Sequence, residues 1–303
     1  MTSLPGNERS EMTAEILDGQ ALAKTMRKEI DAEIAAFKER YKVTPTIAVV
    51  RAGEDPASVS YAGAIRRTFE QRQLGFGMYA LPANVSEADL VAQIISLNNN
   101  PNVHGIMIQE PLPKGIRTEV ITDALSPVKD IDGVHPANAG RLAQAAPVGR
   151  PPEVSDFFVP ATPAGGMEIL KRYNISLSGK HAVVVGRSRI VGKPMAFLLL
   201  RENATVTVCH SRTQDLGAIC RQGDILCAAV GQAKLITASM VKPGAVVIDF
   251  GVNFVGDKMV GDVDFESVKE VASMITPVPG GTGPMTNIML LRNVLEAARR
   301  QLG

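Results

Sequence analysis

The sequence predicts an α/β protein of two domains, the second a parallel sheet with helices on both faces. Three observations predict it. Short apolar runs alternate with amphipathic segments of helical period from Thr46 to the C-terminus, the pattern of parallel strands joined by crossover helices. The chain has 303 residues, 45% of them hydrophobic, a length that divides most naturally into two cores. At Gly186 an apolar run, Ala182 to Val185, passes directly into a polar turn and then a helical segment.

Residues 1–13 read as a loose tail. Asp18 then precedes Leu22, Met26, Ile30, Ile34 and Phe37, whose spacing of three or four, with charges between, predicts a helix over 19–41. TIAVV from Thr46 is a strand. It is followed by the turn Gly53-Glu54-Asp55-Pro56, a helix over 58–73 and the strand GMYAL, 77–81. A helix over 86–99 leads to HGIMIQ, 104–109, a strand ending at Gln109. KDIDGVHPANAGRL, 129–142, reads as a polar turn stiffened by Pro136, and residues 143–159, with Pro147, Pro151 and Pro152, as the connection between domains. After Thr162-Pro163 a helix runs to Tyr173. Strands at 182–185, 204–210, 224–230 and 245–253 then alternate with helical or turn segments, a mononucleotide-binding arrangement. TPVPGGTGPMTNIML, 276–290, is a stiff loop entering a C-terminal helix.

Composition narrows the function. Lys and Arg number 32 against 31 Asp and Glu, leaving +1, so no general attraction to nucleic acid or an anionic membrane is expected. There is no run of 18 apolar residues, and the first dozen carry Glu8 and Glu11 without an apolar core. Neither a membrane span nor a signal peptide is therefore expected, and the location expected is cytoplasmic. Cys209, Cys220 and Cys227 lie in apolar or alternating stretches without paired spacing, which fits buried thiols in a reducing compartment rather than disulfides or zinc; no metal is expected.

Ligands of parallel sheets sit at the carboxyl ends of the strands. Gln109, the loop after Val50 and the 129–142 stretch occupy such positions; the last reads as a pocket wall or as a surface loop with Asx-turns. Tyr61 shares a helix face with Ile65 and reads as a packed amphipathic side chain or a site residue, whereas Arg66 and Arg67 point off that face. At Gly186 the backbone can approach a phosphate, and the helix N-terminus beyond attracts its charge. Gly186 and Gly192 do not fit G-x-G-x-x-G, so glycines that serve only helix–strand packing remain the alternative. An NAD site is expected to show an acid about twenty residues further on. Here the next strand ends in His210-Ser211-Arg212, with no carboxylate before Asp215. Serine and arginine suit a ribose 2′-phosphate, with Arg187 as a second cation, so NADP is favoured; the alternative is that Arg212 is a surface residue.

Nine blocks in order, DPASVSY (55–61), GIMIQEPLP (105–113), KDIDGVHPANAGRL (129–142), PATPAGGM (160–167), GRSRIVGKP (186–194), TVTVCHSRT (205–213), KPGAVVIDFGVN (242–253), GDVDF (261–265) and TPVPGGTGPMT (276–286), resemble the bifunctional methylenetetrahydrofolate dehydrogenase/cyclohydrolase family. The resemblance implies two domains around a cleft. Residues 1–159 plus 286–303 would form the folate-binding catalytic domain, and 160–285 a Rossmann-like NADP domain. It implies oxidation of a tetrahydrofolate derivative within one-carbon metabolism and purine biosynthesis, and a homodimer. Tyr61, Gln109 and Asp132 match the catalytic and folate-binding positions: the tyrosine along the folate, the glutamine near the reacting carbon and the aspartate that holds the pterin. Pro277, Gly280 and Gly281 match the substrate loop. Gly186, Arg187, Ser188, Ile190, Ser211, Arg212 and Val252 match cofactor positions, with Arg187 and Ser211 at the 2′-phosphate.

One position departs. The family pattern has lysine four residues after the tyrosine; this chain has Ile65. That lysine is associated with cyclohydrolase chemistry, whose proton transfers a hydrocarbon cannot perform. The expectation is an NADP-dependent dehydrogenase with weak or absent cyclohydrolase activity. The alternatives are a fully bifunctional enzyme with a relocated base, for which Lys129 is the candidate, and a non-catalytic folate- or nucleotide-binding regulator. Thr282 and Asn287 add polar groups near the substrate loop, and Ala161, where cysteine is frequent, reads as a packing variation.

Overall fold

A computed structural model describes residues 13–148 and 156–303. The tail expected over 1–13, apart from Thr13, lies outside the described residues, as do Pro151 and Pro152 of the expected connection. The elements run β1 (Glu15–Ile16), α1 (Gly19–Tyr41), β2 (Thr46–Ala52), α2 (Pro56–Glu70), β3 (Gly75–Leu81), α3 (Glu87–Asn98), β4 (Gly105–Ile108), α4 (Thr118–Ala124), α5 (Pro136–Gln144) and α6 (Ala161–Arg172). There follow β5 (His181–Val185), α7 (Gly192–Arg201), β6 (Thr205–Cys209), α8 (Leu216–Cys220), β7 (Ile225–Ala228), β8 (Val246–Asp249), β9 (Asn253–Val255), β10 (Lys258–Val260), α9 (Phe265–Val268), β11 (Met274–Ile275) and α10 (Thr282–Leu302).

Two parallel sheets result, one of three strands in the order β3-β2-β4 and one of six in the order β1-β11-β8-β7-β5-β6; β9 and β10 form a separate antiparallel hairpin. Side chains alternate across each sheet, and the burial follows that alternation. Ala182 and Val184 of β5, Ile225 and Cys227 of β7, and Ile47 and Val49 of β2 all enter one shared core. α1, α6 and α10 supply Met26, Ile30, Ile169, Leu170, Leu291 and Val294 to it. Val183, Val185, Leu226 and Val247 face a second core on the far side of the large sheet, while Ala48, Val50 and Ile106 pack with Leu90 and Ile94 of α3. The α/β class with a helix-flanked parallel sheet is thus as expected.

α1 begins where its cap predicts, with Asp18 accepting from the Ala21 N–H at 2.9 Å. Three differences have physical causes. β1 joins the edge of the large sheet, with Glu15 N–H donating to Ser273 and Leu17 N–H to Ile275, so the expected first domain begins in the second domain's sheet. A two-residue strand is too short to show a period. The stretch expected as a turn over 129–142 becomes helix at Pro136, with His135 as N-cap and proline in the first turn. Finally, the large sheet has six strands, the four expected together with the short β1 and β11.

α10 reaches back toward the small sheet. Asn293 Nδ2 donates to the carbonyls of Ile131 at 2.7 Å and Val159 at 2.9 Å, and Gln301 Nε2 donates to that of His104 at 2.7 Å. All three cysteines are free and buried; burial pushes the Cys227 thiol up to about 12. Among the described residues, no helix is long and apolar enough to cross a membrane.

Candidate active site

The carboxyl end of the small sheet opens on a cavity of about 510 Å³. Tyr61 from α2, Gln109 at the end of β4, and Asp132 line it, together with Asp55, Ser58, Glu110 and Ile190. Three side chains distant in sequence and expected to act together are therefore brought to one wall, and the nucleotide turn contributes Ile190. A larger cavity of about 690 Å³ lies between α6, α7 and α10 and holds none of the expected site residues.

Gln109 is 5% exposed. Its backbone N–H donates to Val50 and its Nε2 to the Ser58 carbonyl at 3.0 Å, while Oε1 is buried with no partner. A buried orphan acceptor is unfavourable, so it suits a ligand donor or a developing positive charge. Burial raises the Asp132 carboxyl to about 7, reinforced by the nearby charges of Asp130 and Glu110 and opposed by a hydrogen bond from the Ala161 N–H at the start of α6. Tyr61 is driven upward by burial and then by Asp132, so it stays a neutral phenol and cannot act as a base near neutrality. Asp55 caps α2, accepting from the Ser58 N–H at 2.9 Å.

Ile65, one turn beyond Tyr61, is 1% exposed and belongs to the shared apolar core. Lys129 does not take a base's place. It is 5% exposed, and its Nζ donates to the carbonyls of Asn100 at 2.7 Å and Leu97 at 3.2 Å, capping the end of α3 away from the cavity. The expectation of Lys129 as a relocated amine is corrected on that ground. Thr282 is engaged within the fold. Its hydroxyl donates to the Asp249 carbonyl at 3.0 Å and anchors its loop. Asn287 carries a second buried orphan oxygen.

The nucleotide turn leaves β5 beside β6, with the Gly186 N–H donating to Cys209. Gly186 has φ +128°, and a Cβ there would collide with the Ala229 carbonyl; one on Gly192 would collide with the Gly186 carbonyl. The glycines therefore close the turn on itself, which accounts for their irregular spacing. Ser188 Oγ accepts from the N–H groups of Val191 and Gly192, both at 3.2 Å, ordering the start of α7. Arg187, Ser211 and Arg212 are exposed at the ends of adjacent strands, and Val252 is exposed beyond β8. The nearest following acid, Asp215, is occupied in capping α8. The donor set is thus hydroxyl and guanidinium, which fits a 2′-phosphate better than a ribose 2′-hydroxyl.

Pro277, Gly280 and Gly281 form a loop clamped at both ends. The Thr276 hydroxyl accepts from the Asp249 N–H at 2.7 Å, Gly280 O accepts from the Gln20 N–H, and a Cβ on Gly19 would strike the Gly281 carbonyl. Beneath it lie two carboxylates to which the sequence reading gave no role. Asp262 is fully buried and accepts from the N–H groups of Val230, Gly231 and Gln232 and from Asn253 Nδ2, at 2.6–2.9 Å. Asp249 accepts from the N–H groups of Gly251, Asp262 and Val263; burial nevertheless raises it to about 6. All their partners except Asn253 are backbone amides, which leave no residue-type signal.

The chain matches the tetrahydrofolate dehydrogenase/cyclohydrolase catalytic domain over residues 17–132 and the NAD(P)-binding domain of the same name over 160–302. It is 53% identical over 293 residues to the bifunctional protein FolD of Chloroflexus aurantiacus, covering 96% of this chain and all of that one. The chain belongs to the tetrahydrofolate dehydrogenase/cyclohydrolase family. Among solved structures, the bifunctional FolD of Campylobacter jejuni superposes with a TM-score of 0.89 at 40% identity, covering 95% of this chain and 99% of that one. The Trypanosoma brucei enzyme complexed with NADP and an inhibitor gives 0.88 at 37%, covering 95% and 98%. The 186–192 turn and the exposed Arg187, Ser211 and Arg212 accordingly lie in the family's NAD(P)-binding domain, and Tyr61, Gln109 and Asp132 in its catalytic domain.

Proposed function

We propose that the chain is an NADP-dependent methylenetetrahydrofolate dehydrogenase with little or no cyclohydrolase activity. The observation that carries the reading is Ile65, buried in the core at the position where the family resemblance places lysine. When bound, NADP supplies the hydride acceptor. The chain's own residues bind and align. Asp132, ionised, accepts the paired N–H donors of a pterin edge. Tyr61 packs along the folate as a neutral phenol, and the unpartnered Oε1 of Gln109 faces the charge that develops as hydride leaves the methylene carbon. Arg187, Ser211 and Arg212 hold the 2′-phosphate, while Gly186, Ser188, Ile190 and Val252 shape the nucleotide contact. Pro277, Gly280 and Gly281 form the loop between the two ligands.

Hydride transfer needs alignment of two carbons and no obligatory protein base. Water attack on the methenyl product needs a group that takes a proton near neutral pH. The fully bifunctional reading, with a relocated base, is favoured by the names of the relatives. Residues 1–159 with 286–303 are assigned to the folate domain and 160–285 to the NADP domain, with β1 lent to the latter's sheet; α10 packing beside Ile131 and Val159 supports the return of the C-terminus. A homodimer is supported by the β9–β10 hairpin, which exposes Phe254 and Val255 at 65% and 55%. A cytoplasmic location accords with three buried, free thiols, and a place in one-carbon metabolism and purine biosynthesis is what the family membership implies.

The test is a paired assay of both activities on one preparation, with NADP and NAD. Methenyl product is expected to accumulate and persist, and Ile65→Lys to raise its hydrolysis. Rapid enzyme-dependent hydrolysis by the wild type, unaffected by Ile65→Lys, would sink the reading.

A further inference from the structure

The nucleotide turn is also an outer wall of the substrate cavity. Ile190 lines that cavity, three residues after Arg187. Between them Arg189 reaches across the cleft, its Nη2 donating to Glu110 Oε1 at 3.0 Å. Glu110 directly follows Gln109, and its carbonyl accepts from Ser58 Oγ at 3.1 Å, the same Ser58 whose carbonyl holds Gln109 Nε2. On its other side Arg189, with Lys193 and Phe197, walls a second cavity of about 420 Å³ that shares Thr122 and Val134 with the first. Glu119 and Asp123 line this second cavity too, but among the described residues Glu110 is the carboxylate within ion-pair distance of Arg189.

We propose that Arg189 and Glu110 are positioning residues that couple the nucleotide site to the folate cavity. Nucleotide held against the turn fixes Arg189, and Arg189 fixes Glu110 and the wall that carries Gln109. Each ligand then binds more tightly in the presence of the other. The pair is 42% and 46% exposed, so alone it is weak and its geometry is loosely set. A ligand that immobilises one partner removes part of the entropy of ordering the other, and linkage makes the effect reciprocal. The proposal rests on the folate reading of the cavity.

The test uses the full chain and tetrahydrofolate, which lacks the methylene carbon and does not turn over. Its dissociation constant is measured by calorimetry with and without saturating NADP⁺, and the ratio of the two is the coupling factor. The wild type is expected to exceed one. Arg189→Gln and Glu110→Gln are each expected to lower the factor by about two- to five-fold, the range of an exposed ion pair, and Arg189→Lys to retain most of it. Raising the ionic strength from about 0.05 to 0.5 M should lower the factor in the wild type and leave it unmoved in Arg189→Gln. A wild-type factor of one, or a factor unchanged in both glutamine variants, overturns the coupling. Asp132→Asn separates the two readings. If it leaves tetrahydrofolate affinity intact, the folate assignment of the cavity falls. If it weakens tetrahydrofolate with and without nucleotide while the glutamine variants keep the wild-type factor, the coupling alone falls.

Discussion

The two sides of the cleft meet buried polarity to different degrees, although the nucleotide side also holds Asp249, which burial raises to about 6. On the nucleotide side, the carboxylate of Asp262 is matched by four donors and Ser188 closes the helix start, so the loops are held without a ligand. On the folate side, Gln109 keeps an orphan oxygen and Asp132 is raised to about 7. A frame that satisfies itself keeps its shape while ligands come and go. A wall with unmet polar groups gains most when a ligand supplies the partners.

The largest test of this contrast is Asp262→Ala. Removing one carboxylate strands several buried backbone donors, so a loss on the order of 3–5 kcal/mol in urea unfolding is expected. NADP affinity should fall more than tetrahydrofolate affinity; equal losses would mean that the network supports the whole fold rather than the nucleotide loops. Arg187→Gln is the next in size. Losing a charge-assisted hydrogen bond should lower kcat/KM for NADP on the order of tenfold to a hundredfold. NAD, which lacks the 2′-phosphate, should be little affected, and parallel losses with both cofactors would remove Arg187 from that contact.

The alternation of apolar runs and amphipathic segments made most of the fold legible in the sequence, because α1, β2, β5 and α10 each bury a periodic face. β1 and α5 were not legible, since the first is set by a long-range pairing with β11 and the second begins at a proline that reads equally as a turn. In the site, Gln109 was legible as a strand-end position and the loop of Asp132 as a possible pocket wall, whereas Tyr61 on its helix was legible only through the ordered blocks; the three share one cavity. The alternative role for Lys129 stayed open in the sequence because nothing local shows that its ammonium reaches the end of α3. Asp249, Asp262 and the Arg189–Glu110 pair went unassigned because their partners lie across loops that only the folded chain brings together.

The smallest expected effect is also the most direct measure of the unmet wall. In the free enzyme burial raises Asp132 from the ordinary carboxylate range to about 7, so the native state holds a proton there that the unfolded chain has released. Asp132 therefore makes stability fall as pH rises from about 4 to 7, because ionisation of this half-buried, partly desolvated group opposes folding. A pterin edge reverses the preference, since its donors require the carboxylate. Tetrahydrofolate binding should accordingly release a proton near pH 7, visible as a dependence of the calorimetric heat on the buffer's ionisation enthalpy. Affinity should hold above pH 7 and fall by up to about tenfold for each unit below it. Asp132→Asn should bind more weakly but lose this limb and the buffer dependence. A wild-type profile flat from pH 6 to 8 would mean that Asp132 is already ionised in the free enzyme, and the contrast between the two walls would then rest on Gln109 alone.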